Sequence, residues 1–250
     1  MVSSVHREVS VVDGRQDFID AVSSAAEEVI CAAIEARGVA HVVLTGGTMG
    51  VAVLTGLDVS EQSRVDWSKV HLWWGDERFV DSASSDRNAV QAREAFISKS
   101  VIPESHIHEM PPANSGLSLD EAARSYANDL AQYAAENSLL PQFDLTFLGI
   151  GPDSHVASLF PDHADAQQDS PVIPVRNSPK PPPERVSLSY GSINTSERVW
   201  VVACGSDKAD AVSQMFSTDD DASFPSSCVH GRIQTKLWAD SLAAAKVPQL

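Results

Sequence analysis

Asp153 and His155 sit two residues apart in the segment Leu148-Gly149-Ile150-Gly151-Pro152-Asp153-Ser154-His155-Val156-Ala157-Ser158-Leu159-Phe160-Pro161. An imidazole is the side chain most easily poised to exchange a proton near neutral pH. A carboxylate beside it can hold its ring and tautomer. The apolar run Phe143-Asp144-Leu145-Thr146-Phe147-Leu148 precedes the turn and reads as a buried strand broken by two glycines. A histidine at the mouth of such a strand is placed for acid–base chemistry on a small ligand. Taken alone, the same turn also fits a plain capped connection whose histidine only bonds its neighbours.

Three further strands end in polar turns. Val39-Ala40-His41-Val42-Val43-Leu44 leads into Thr45-Gly46-Gly47-Thr48, and Val70-His71-Leu72-Trp73-Trp74 leads into Gly75-Asp76-Glu77-Arg78. The run Arg198–Cys204 leads into Gly205-Ser206-Asp207-Lys208. In an open parallel sheet, ligands bind outside the carboxyl ends of the strands, so four such turns can converge on one crevice. Gly46, Gly47 and Thr48, between a strand and a helix, fit either an anion site or a tight turn. Asp76 and Arg78 fit either a site, in which the guanidinium meets a phosphate or a developing oxyanion, or a surface ion-pair turn. Arg87, in Asp86-Arg87-Asn88, belongs to a helix cap or points into the crevice. Arg185, after the run Ser178-Pro179-Lys180-Pro181-Pro182-Pro183, and Lys208 are candidate phosphate cations, and the proline run is a stiff loop or part of a ligand rim. No histidine pair has metal-ligand spacing, and no Gly-x-Ser-x-Gly elbow is present.

The elements that must position these residues alternate between short apolar strands and helical patterns. Helices are expected near 17–37, with Gly38 as C-cap, and near 48–57 and 88–96. Others are expected from 118 to about 136, opened by a Ser118/Glu121 capping box, at 208–216, and through 243–245. Strands are expected at 39–44, 70–74, 143–148, 172–175, 185–189 and 198–204. The fold class is therefore α/β: a Rossmann-like, doubly wound, mostly parallel sheet with helices on both faces, in a single domain over 1–250.

The formal charge of −16 argues against a nucleic-acid partner, which needs a basic footprint. No signal-like or long apolar stretch points to a membrane, so a cytoplasmic protein is expected. The three cysteines, Cys31, Cys204 and Cys228, are expected to be buried free thiols.

In order and spacing, the turns resemble those of the 6-phosphogluconolactonase family. The matching residues are Gly46-Gly47, Trp74-Gly75-Asp76-Glu77-Arg78, the stretch Gly149–Pro161, Arg185-Val186-Ser187-Leu188, and Gly205–Ala209. Two departures stand out. Ser154 occupies the place of a family glycine, and Thr48-Met49-Gly50 stands where Ser-Thr-Pro is usual. A family glycine with positive φ would leave Ser154 mildly strained.

The resemblance implies hydrolysis of 6-phospho-D-glucono-1,5-lactone in the oxidative pentose phosphate pathway, with no metal or other cofactor. It implies His155 as general base, Asp153 or Asp76 orienting it or the sugar hydroxyls, and Arg78 stabilising the carbonyl oxygen. The phosphate would fall to Gly46, Gly47, Thr48, Arg185 and Lys208, with Arg87 as a further candidate. Two alternatives are an aminosugar-phosphate deaminase or isomerase, whose usual Asn-Glu-Pro ending is here Ala157-Ser158-Leu159-Phe160-Pro161, and a non-catalytic sugar-phosphate binder. The only partner expected is the sugar phosphate, with the oligomeric state open between monomer and weak dimer.

Overall fold

The protein is described here from a computed structural model that covers residues 6–60, 62–217 and 220–248. In chain order the elements are β1 (Arg7–Val11), α1 (Arg15–Arg37), β2 (Ala40–Leu44), α2 (Gly47–Leu54), β3 (Val70–Trp74), β4 (Asp76–Arg78), α3 (Asn88–Ala95), α4 (Leu119–Gln132), β5 (Leu145–Gly149), β6 (Val172–Val175), β7 (Arg185–Leu188), α5 (Tyr190–Ile193), β8 (Arg198–Ala203), α6 (Ala209–Ser217) and β9 (Gln234–Ala239).

Six strands form one sheet in the order β1-β9-β8-β5-β2-β3, with every pairing parallel. Strands β2 and β3 are buried along their whole length, as strands covered on both faces must be. The chain leaves β2 toward β3 on one side and later returns to lay β5 on the other. The sheet order therefore reverses between β2 and β5, and Gly149 N–H donates to Thr45 Oγ1 at 3.2 Å across that gap. A reversal of this kind opens a crevice at the carboxyl ends of the two strands.

Gly75 hands the chain from this sheet to a second one. Its N–H donates to Leu44 O (2.9 Å) and its carbonyl accepts from Leu188 N (2.8 Å). Strands β4, β7 and β6 then form a three-stranded antiparallel sheet, which carries Asp76, Arg78 and Arg185 over the carboxyl edge of the first. A continuous apolar core that includes Trp67, Trp73, Trp74, Phe143 and Val186 joins both sheets to the helices.

Two expected caps are present. Gly38 takes φ 79° and donates to Ile34 O, and the Ser118/Glu121 capping box closes both ways. Several expectations need correction. Residues 172–175 and 185–188 belong to the antiparallel sheet, Asp76–Arg78 is a strand rather than a turn, and 243–245 forms turns instead of a helix. Strands β1 and β9 were not foreseen. Yet β9 alternates from Gln234 to Leu237, with Thr235 and Leu237 buried, before ending in the buried pair Trp238 and Ala239, and the Lys236 ammonium lies 3.8 Å from the centre of the Trp238 ring. The cysteines are free but only half-buried. Among the described residues, no helix is long and apolar enough to cross a membrane.

Candidate active site

The carboxyl ends of β2, β5 and β8, roofed by β4 and β7, enclose a cleft of about 670 Å³. Arg15, Arg78, Lys180, Arg185 and Lys208 line it, against the acids Asp76, Asp207 and Asp240. A chain of net charge −16 thus gathers five of its 18 cations around one cavity, the local field an anionic ligand needs.

His155 lies on the cleft wall. Its Nδ1 is 2.6 Å from Asp153 Oδ1, and its ring packs on Phe160 with centroids 4.8 Å apart. The turn is tightened by Gly151 N–H donating to His155 O (2.8 Å) and Ser154 N–H donating to Gly151 O (2.9 Å). A Cβ on Gly151 would overlap the imidazole, so this close approach requires glycine. With Nδ1–H donated to Asp153, the Nε2 lone pair is left to act as a base. Burial works against the charge of Asp153. The hydrogen bonds from His155 and Lys180, with the positive charge of the Lys180 ammonium, outweigh it and hold the carboxyl well below the usual range.

Ser154 adopts φ 70°, the left-handed conformation anticipated for a glycine position. It is wholly buried, and its Oγ lies 2.6 Å from Ser226 Oγ while its carbonyl accepts from Ser226 N (3.0 Å). The hydroxyl pair gives the serine a partner that glycine could not have, offsetting part of the strain.

Gly46 and Gly47 open α2 with no side chain capping it, so its first N–H groups remain available beside the cleft. Gly46 packs against the Asn88 amide so closely that any Cβ there would overlap it, and Gly47 takes φ 79°. Thr48 and Lys208 line the same cavity, the latter with Nζ 3.2 Å from Asp207 Oδ2. Arg15, at the start of α1, joins this rim with Nη1 3.9 Å from Met49 Sδ, and nothing in the sequence had marked it out.

Asp76 Oδ2 accepts from Ser158 Oγ at 2.6 Å, while Asn88 Nδ2 donates to Asp76 O at 2.9 Å. Asp153, not Asp76, is therefore the carboxylate bonded to His155. Arg78 lines the cleft with Nη1 donating to Asp86 O (2.5 Å), and its buried Nε lacks a partner among the described residues.

Two expectations about cations change. Arg87 is only 1% exposed, donates to Met110 O (2.7 Å) and lies 3.6 Å from Glu77, so it does not reach the cleft and is no phosphate ligand. The cap of α3 is Glu77, whose carboxylate accepts from Asn88 N (2.7 Å) and Ala89 N (2.9 Å). Arg185 does reach the cleft. Its Nε and Nη2, however, are spent on the carbonyls of Pro182 (2.9 Å), Lys180 (3.1 Å) and Pro181 (3.0 Å), and Nη1 lies 4.0 Å from Asp76 Oδ2. It clamps the proline loop rather than standing free for a phosphate. Burial pushes its guanidinium down from the usual value, although the charge of Asp76 opposes this.

Cys204 also faces the cleft, but burial pushes its thiol up to about 11, so it is no nucleophile at neutral pH. Among the described residues, no three His, Cys, Asp or Glu side chains are grouped to hold a metal ion.

The family model described as glucosamine-6-phosphate isomerases/6-phosphogluconolactonase matches residues 13–238, which include every residue lining the cleft except Asp240. The chain belongs to this family. It is 40% identical over 244 residues to a 6-phosphogluconolactonase of Mycobacterium leprae, covering 96% of this chain and 98% of that one. It is 43% identical over 223 residues to a 6-phosphogluconolactonase of Mycobacterium tuberculosis, covering 88% and 90%. The crystal structure of a 6-phosphogluconolactonase from Thermotoga maritima superposes with a TM-score of 0.82 at 25% identity, covering 94% of this chain and all of that one. The doubly wound α/β fold is thus that of the family.

Proposed function

We propose that this chain hydrolyses 6-phospho-D-glucono-1,5-lactone to 6-phospho-D-gluconate in the cytoplasm, with His155 as general base. One observation carries the reading: a carboxylate-paired histidine opens on a cation-lined cleft in a chain whose relatives are named 6-phosphogluconolactonase. His155 Nε2 takes a proton from water as its oxygen bonds to the lactone carbonyl carbon, while Asp153 holds the imidazolium that forms. Charge moves to the carbonyl oxygen, where Arg78 stabilises it. The tetrahedral centre then collapses, the bond to the ring oxygen breaks, and His155 returns its proton to that oxygen as the C5 hydroxyl. The open-chain carboxylic acid so formed loses its proton to solvent, leaving the carboxylate as product.

The α2 N–H groups at Gly46, Gly47 and Thr48, with the cations Lys208 and Arg15 of the same cleft, hold the phosphate. Asp76, fixed by Ser158 and Asn88, accepts from sugar hydroxyls. A lactone is already an activated ester, so this route calls on no redox group.

The test is the decay of freshly generated lactone against its spontaneous background. Wild type is expected to accelerate decay strongly and His155→Ala to fall near background with an unchanged fold. Wild-type decay at the background rate would refute the reading, and turnover of glucosamine 6-phosphate would favour the deaminase alternative.

A further inference from the structure

Lys180 lies in the loop between β6 and β7, where its backbone is gripped from two sides. Arg185 holds the carbonyls of Lys180, Pro181 and Pro182, and Ser178 Oγ both donates to Lys180 O (2.9 Å) and accepts from Lys180 N (3.3 Å). Ser178 N–H in turn donates to Pro183 O at 2.9 Å, closing the loop on itself. From this fixed base the ammonium reaches 27 residues back in sequence, to 3.0 Å from Asp153 Oδ1 and 3.2 Å from His155 Nδ1.

Asp153 Oδ1 therefore faces two donors at once, the imidazole and the ammonium. A cation so close to Nδ1 disfavours a second positive charge on the ring, and its hydrogen bond to Oδ1 draws off part of the carboxylate charge that would favour one. We propose that Lys180 is a positioning residue for the His155–Asp153 pair, holding the carboxylate against the imidazole and opposing premature protonation of the base. Arg185, whose clamp fixes the loop, acts through Lys180. The inference rests on His155 being the base.

Other charged groups surround the pair at longer range. Asp76, Arg78 and Arg185 come from the antiparallel sheet, Arg15 from α1, and Asp207, Lys208 and Asp240 from the turns after β8 and β9. Past Phe160, His163 has its Nδ1 3.9 Å from Asp165. Among the charged groups of the described residues, only Asp153 and Lys180 lie within hydrogen-bond distance of His155 Nδ1.

The experiment is the pH profile of kcat/KM, corrected for spontaneous hydrolysis, for wild type, Lys180→Met, Lys180→Arg and His155→Asn, with thermal midpoints confirming folding. Lys180→Met is expected to move the acid limb up by about one pH unit, a roughly tenfold loss on that limb, and Lys180→Arg to move it back. A Lys180→Met limb coincident with wild type, or a loss by the same factor at every pH, would overturn the proposal. A His155→Asn variant retaining the wild-type limb would instead overturn the assignment of the base, so the two failures are distinct.

Discussion

Replacing Asp153 with asparagine tests the proposed catalytic pair most directly. The carboxylate lies 2.6 Å from His155 Nδ1, a charge-assisted contact that strengthens as the ring becomes imidazolium in the transition state. Hydrogen bonds to charged groups are worth about 1.5–3 kcal/mol, and because the Asp153 side chain is 36% exposed, solvent screening takes the lower part of that range, about 2 kcal/mol. At 1.36 kcal/mol per decade, that is roughly a 30-fold loss in kcat. An amide that donates to Nδ1 would also leave the proton on Nε2, the wrong tautomer for a base, which deepens the loss. Binding is expected to change little, because Asp153 is not among the residues lining the cleft. The assay is steady-state decay of the lactone at saturating and subsaturating concentrations. A variant with wild-type kcat, or one whose whole defect lies in KM, would refute the claim that Asp153 acts through His155.

Two further outcomes are expected. Ser154→Ala keeps the left-handed backbone strain and deprives Ser226 of its hydroxyl partner, whereas Ser154→Gly relieves the strain, so in urea melts the alanine variant should be the less stable by about 1 kcal/mol. Equal stabilities would show that the φ of 70° carries no cost. Away from the cleft, burial and neighbouring imidazoles lower His41 to about 3 and His71 to about 4, and Trp73 Nε1–H donates to His41 Nδ1 at 3.1 Å, a contact that requires an unprotonated nitrogen. Because the unfolded chain binds these protons first, this stability is complete above about pH 6.5 and declines as pH falls toward 4. From His41 alone, about 2 kcal/mol should be lost between pH 7 and pH 5, and His41→Gln should lose that much less over the same interval; equal pH dependence in the two proteins would contradict the assignment.

Local chemistry made much of this protein legible from its sequence. Apolar runs of strand length ended in glycine-bearing polar turns, and connections of helical length between them required a parallel sheet, so the turns had to share one edge. The Gly38 C-cap and the Ser118/Glu121 capping box rest on contacts three or four residues apart, and both are present. The Gly46-Gly47 and Asp153/His155 turns were visible for the same reason.

What only the tertiary structure decided depends on where long side chains reach after distant segments pack. The run Asp76-Glu77-Arg78 shows two acids and a cation. Burial of α3 against β4 makes Glu77 a helix cap and takes Arg87 out of the cleft, while Asp76 stays in it. The choice of Asp153 over Asp76 as the partner of His155 came from the same packing. Arg185, a candidate phosphate ligand by charge, became a clamp because the proline loop folds back over it and presents three carbonyls. Lys180 sat unnoticed in that loop because no periodicity links it to Asp153. The fold supplies the connection, since β5 ends in the turn that carries Asp153 and His155, and the loop of the antiparallel sheet suspends the lysine above it.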